Sequence, residues 1–89
     1  MFERKEAVYK LFGETLLHAR LDAGMSQEYV AFELGLSVNT IYKWEHGKSQ
    51  PDICQLLGLF ATLDLDPMDY MPETVRRAKE LYNRDDGCS

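Results

Sequence analysis

The side chains with most to offer a ligand stand close together. Ser37, Val38, Asn39, Tyr42 and Lys43 fall on one short stretch, with Gln27 before it and His46 and Lys48 after it. Their chemistry is that of reading rather than reacting. An asparagine amide donates and accepts at once, which matches the N6 and N7 of adenine. A lysine ammonium only donates, which suits the O6 and N7 of guanine, and a valine offers methyl groups to the methyl of thymine. Bond-making chemistry has no comparable set. His18 and His46 lack a metal-ligand spacing with Cys54 or Cys88. No glycine-rich phosphate loop or nucleophile motif occurs. Ser26 and Ser37 are accounted for as helix caps, and the carboxylates are dispersed. The expectation is no enzyme, no cofactor and no metal.

Reading chemistry needs a rigid platform, and residues 25–48, MSQEYVAFELGLSVNTIYKWEHGK, supply one. Ser26 is a good N-cap for a helix over about 27–34, with Val30, Ala31 and Leu34 on its inner face. Gly35 stands where a helix-ending residue in the left-handed region is wanted. Ser37 caps a second helix whose inner residues are Ile41 and Trp44, and Gly47 ends it. Two short helices joined by a glycine-containing turn match the helix-turn-helix unit, whose second helix enters the DNA major groove.

The stretch resembles the Cro and phage-repressor family, also called the XRE type. The resemblance is carried by Gly13-x-x-Leu16-x-x-x-Arg20, Gly24-Met25-Ser26-Gln27, Val30-Ala31, Leu34-Gly35, Ser37, Ile41 and Trp44-Glu45-x-Gly47-Lys48. It continues through Pro51-Asp52 and Leu56-Leu57 to Leu63 and Leu65, over roughly residues 12–71. It implies an all-α fold, a compact five-helix domain like that of lambda repressor, here with an added C-terminal helix. It implies base reading from Ser37, Val38, Asn39 and Lys43, and phosphate contact from Gln27. Thr40, Tyr42 and Lys48 add hydroxyls and charge for phosphate. It also implies an ion pair between Arg20 and Glu45 that orients the first helix against the end of the third. Such a partly buried pair adds little net stability but is costly to break from one side, so loss of Glu45 alone should unfold the domain. Tyr29 and Phe32 depart from the pattern, because relatives usually carry polar residues there. Tyr29 leaves the capping box at Ser26 incomplete.

Charge sets a condition on this reading. The chain carries 10 Lys and Arg against 15 Asp and Glu, a net of −5. That argues against a general nucleic-acid binder, since affinity for DNA begins with phosphate neutralisation. The excess is uneven. Residues 1–50 carry 6 basic and 7 acidic side chains, net −1, and residues 51–89 carry 4 and 8, net −4. A dimer that holds its C-terminal part away from DNA tolerates that distribution.

The remaining chain frames the unit. Residues 1–11 form an N-terminal extension, either a separate turn or a lengthening of the first helix. The first family helix spans about 13–23, with Leu16, Ala19 and Ala23 toward the core. Leu17 and Leu21 give a displaced stripe that a C-terminal helix or a second subunit should cover. Asp52 caps a fourth helix with Ile53, Leu56, Leu57, Phe60, Ala61 and Leu63 on a broad apolar face, and Cys54 reads as a small buried residue. Asp66-Pro67 starts a short fifth helix with Met68, Tyr70 and Met71. Pro72 breaks the chain. Residues 73–84 then form a last amphipathic helix, with Val75, Ala78 and Tyr82 on one face and Leu81 beside it. Residues 72–89 are thus a C-terminal helix and tail, frayed from Asp85, with Cys88 a free thiol.

A domain of 89 residues is large enough to fold without metals or disulfides. No apolar run reaches the length of a membrane span and no signal peptide is visible, so the expected place is the cytoplasm. The expected partner is a double-stranded operator bound by a homodimer, with the dimer surface in 64–71 or 73–84. The alternative is a regulator or antitoxin controlled by a protein partner such as a toxin.

Overall fold

The computed structural model describes residues 2–84, and the side chains within that range apart from those at 2–4, 67, 68, 70 and 84. The expectations for Met68, Tyr70, Cys88 and the tail therefore lie outside the described residues. Five helices follow one another: α1 (Phe2–Asp22), α2 (Gln27–Leu34), α3 (Val38–Glu45), α4 (Ile53–Leu63) and α5 (Pro67–Arg84). The described residues hold no strand. α1 packs on α3 and on α5, and α2 packs on α3 and α4.

Local chemistry sets most of the boundaries. Ser26 Oγ accepts the Tyr29 N–H at 3.0 Å and Ser37 Oγ accepts the Thr40 N–H at 3.3 Å. Asp52 and Gln55 form a reciprocal capping box at 2.8 and 2.9 Å. Gly35, at φ 70°, closes α2 in the left-handed region and turns the chain toward α3. The core is drawn from every element up to α4: Leu16, Ala19, Val30, Ala31, Ile41, Trp44, Leu59 and Leu63.

Gly13 governs how closely α1 meets α3. A Cβ at this position would lie 2.5 Å from the Glu45 carbonyl oxygen and 2.7 Å from that of Trp44. The two helices touch backbone to backbone, which only glycine permits.

Of the two readings of the N-terminal extension, the structure shows the lengthened first helix, since α1 runs unbroken from Phe2. Three expectations need correction. Pro72 does not break the chain; it lies inside α5, so the short fifth helix and the last helix are one. Proline removes a single hydrogen bond, to the carbonyl four residues back. Packing on both sides of it offsets that loss. Met71 lines an apolar cleft with Phe12, Thr15 and Leu16 of α1, and Thr74 Oγ1 lies 3.1 Å from Thr15 Oγ1. The inner face of α5 is accordingly Met71, Thr74, Ala78 and Leu81, while Val75 and Tyr82 are exposed.

The second correction concerns α4. Its core residues are Leu59 and Leu63, supported by Leu56 and partly by Phe60, whereas Ile53, Cys54, Leu57 and Ala61 face outward. Gly58 explains the phasing. A Cβ there would lie 2.9 Å from Leu34 Cδ2, so α2 sits directly over Gly58 and turns position 57 away. Third, Ala23 is exposed rather than turned toward the core. Leu17 is half-buried and Leu21 is 57% exposed, so the C-terminal helix does not cover Leu21 and its cover by a second subunit stays an expectation.

Candidate nucleic-acid interface

α3 is held from below by a buried polar cluster. Arg20 donates through Nε to Glu45 Oε2 at 2.6 Å and through a terminal nitrogen to Oε1 at 3.1 Å. Its other terminal nitrogen donates to the Met25 carbonyl at 2.7 Å, and Gln27 Nε2 donates to Glu45 Oε1 at 2.9 Å. One carboxylate thus ties together α1, the turn after it, the start of α2 and the end of α3. The bidentate fork fixes direction as well as distance. With Ile41 and Trp44 also buried, the side of α3 that can meet a ligand is settled.

That side carries Val38, Asn39, Tyr42 and Lys43, all exposed, with Ser37 at its start. Thr40 is half-buried, and its hydroxyl lies 3.0 Å from that of Ser37. Ser37 is therefore engaged as a cap and by its neighbour. Tyr42 stacks on His46, ring centroids 3.9 Å apart, and His46 Nδ1 lies 2.9 Å from the Tyr42 carbonyl. A carbonyl only accepts, so Nδ1 carries the proton in this contact and Nε2 faces away from it. Lys48 is exposed just beyond the helix. Gln27 is half-buried, with one amide hydrogen committed to Glu45 rather than to solvent.

The charge objection weakens locally. Between residues 35 and 51 the charged residues are Lys43, Glu45 and Lys48. Glu45 is buried and matched by Arg20, so both exposed charges in this window are positive. The exposed acids of the fifth helix, Asp69, Glu73 and Glu80, do not enter it. Sequence reasoning also misses a neighbour: Tyr9 and Lys10 of α1 stand beside His46, Gly47 and Lys48. They are far from α3 in sequence, and only the unbroken course of α1 brings them there. Among the described residues no group of three or more His, Cys, Asp or Glu side chains could hold a metal ion, and no helix is long and apolar enough to cross a membrane.

A buried basic–acidic pair clamping a short, exposed helix, free of exposed carboxylates, to the first helix defines a DNA-binding platform. A model of the helix-turn-helix family matches residues 16–69, and the chain belongs to that family, in its Cro and phage-repressor, XRE-type branch. The restriction-modification controller protein C.AhdI from Aeromonas hydrophila, known from a high-resolution crystal structure, is similar at 31% identity. The likeness covers 72% of this chain and 97% of that one, with a TM-score of 0.66. No curated protein matches. The chain is a non-enzymatic DNA-binding regulator of the XRE type.

Proposed function

We propose that two copies of the chain bind an inverted-repeat operator in the cytoplasm and repress the gene beside it. The observation that carries this reading is the outer face of α3, where Asn39 and Lys43 project from a clamped helix with no exposed carboxylate between residues 35 and 51. Asn39 reads adenine, Lys43 reads guanine and Val38 packs on a thymine methyl. Ser37 serves chiefly as a cap. The phosphates are met by the first-turn N–H groups of α2 with the second amide hydrogen of Gln27, by the Thr40 and Tyr42 hydroxyls, and by Lys48.

The dimer forms through the outer face of α4. Ile53 and Leu57 are 68% and 59% exposed, Cys54 and Ala61 are exposed with them, and residues 53–63 include no charged side chain. An uncharged apolar face of that kind is what a self-complementary two-fold contact requires. α5 is the weaker candidate. Its exposed Val75 and Tyr82 are separated by Lys79 and bordered by Arg76, which pairs with Glu73 and Glu80. A dimer that reads an inverted repeat needs its two α3 helices about 34–36 Å apart, one turn of DNA.

Similarity to a restriction-modification controller favours control of such a system, and the neighbouring genes test that directly. A second reading, a regulator governed by a protein partner such as a toxin, is favoured by Phe32, which is 79% exposed on α2 beside the exposed Tyr29. Selection from a random pool of duplexes separates the two. An enriched inverted repeat, bound with steep salt dependence, supports the operator reading. A folded protein that enriches nothing supports the partner reading.

A further inference from the structure

The first fifteen residues lie outside the family match, yet Glu6, Tyr9 and Lys10 among them reach the groove at the end of α3. The contact is fixed by backbone. A Cβ on Gly47 would lie 3.0 Å from Lys10 Cγ and 3.1 Å from Lys10 Cα and N. α1 therefore abuts the turn that ends α3, which brings Lys10 beside Gly47 and into one groove with Lys48. With the half-buried Tyr9 and the exposed His46 they line an open groove whose one carboxylate, among the described residues, is Glu6. Among the described residues neither Lys10 nor Lys48 is in an ion pair. Lys43, Lys48 and Lys10 thus carry unpaired positive charge from the outer face of α3 across its end and onto α1.

We propose that Lys10 and Tyr9, together with Lys48, form a second phosphodiester-binding site, which extends each protomer's footprint onto the DNA backbone flanking the bases read by α3. The site rests on the operator reading above. A helix seated in the major groove has a phosphate backbone at its end as well as bases at its side. The residues that project past the end of α3 meet that backbone. The segment 2–12 adds roughly 15 Å of helix, so the contact falls outside the reading unit itself. The ligand is phosphate on duplex DNA, held by two ammonium groups and a phenol, with no base preference.

The test is the salt dependence of binding by the full chain, measured on the selected operator with long flanks and again with the flanks trimmed. Lys10→Gln should reduce the slope of log affinity against log salt by about 0.9 for each phosphate no longer neutralised. For one such phosphate, affinity would then fall about three- to fourfold less between 50 and 200 mM salt. Base preference should stay as it was, and Lys10→Arg should restore the slope. On the trimmed duplex the unaltered protein should already behave like Lys10→Gln. A Lys10→Gln slope equal to that of the unaltered protein overturns the flanking site and leaves the operator reading standing. Binding by the unaltered protein that is insensitive to salt and to sequence overturns both.

Discussion

α3 and α4 are neighbours in the chain, and each leaves one face uncovered, but the two faces are chemically opposite. α3 exposes Asn39, Tyr42 and Lys43 above a buried Arg20–Glu45 clamp. α4 exposes Ile53, Cys54, Leu57 and Ala61 with no charge along its length. The first face can exchange hydrogen bonds with water until a base edge replaces it. The second gains nothing from water and is stabilised by leaving it. Exposure by itself therefore says little; what an exposed face can do follows from whether its side chains carry polar groups.

The comparison can be broken most severely from beneath. Glu45→Ala leaves Arg20 buried without its partner, a change that costs about 3–5 kcal/mol. For a small domain with about 5–15 kcal/mol of stability, the melting temperature should drop by at least about 12 °C. Thermal unfolding followed by circular dichroism checks it, and an unchanged melting curve would mean that α3 is held by something other than the clamp.

A charge placed on the other face separates the two surfaces. Leu57→Glu should halve the mass seen in sedimentation. It should weaken the dimer by about 2 kcal/mol or more, roughly thirtyfold, with the helical spectrum intact. If the mass stays dimeric, α4 is not the contact, and the Val75–Tyr82 side of α5 is the next surface to substitute.

The smallest change sharpens the α3 side. Lys43→Ala should relax preference at one base pair by about 1–3 kcal/mol without altering the melt. Equal weakening on every DNA sequence would move Lys43 from base reading to phosphate contact.

What is legible in the sequence follows the range of the forces involved. The caps at Ser26, Ser37 and Asp52 and the inner positions Val30, Ala31, Ile41 and Trp44 depend on spacings of one to four residues, and each stands in the structure as the spacing predicts. The pairing of Arg20 with Glu45 is reached through family resemblance, since nothing local marks it. The phase of α4 is illegible because Leu56, Leu57, Leu59 and Phe60 are apolar on every side, which erases the period. Only Leu34 resting over Gly58 decides which leucine turns outward. Pro72 reads as a break by its local rule, but contacts with α1 outweigh one missing hydrogen bond. Lys10 beside Gly47 is a contact between distant residues, and no spacing could announce it.

The glycine contact between α1 and α3 reaches further than packing. Because Gly13 brings the backbones together with no side chain between them, α3 has no cushion on which to tilt. The proposed reading helix and the long α1 are thereby coupled directly. In the proposed dimer joined at α4, two such units would present two nearly fixed prongs. An operator whose half-sites were a base pair too near or too far would then have to be accommodated by the duplex, through bending or twisting between the prongs. Step flexibility in the untouched spacer would thereby become part of what such a dimer selects.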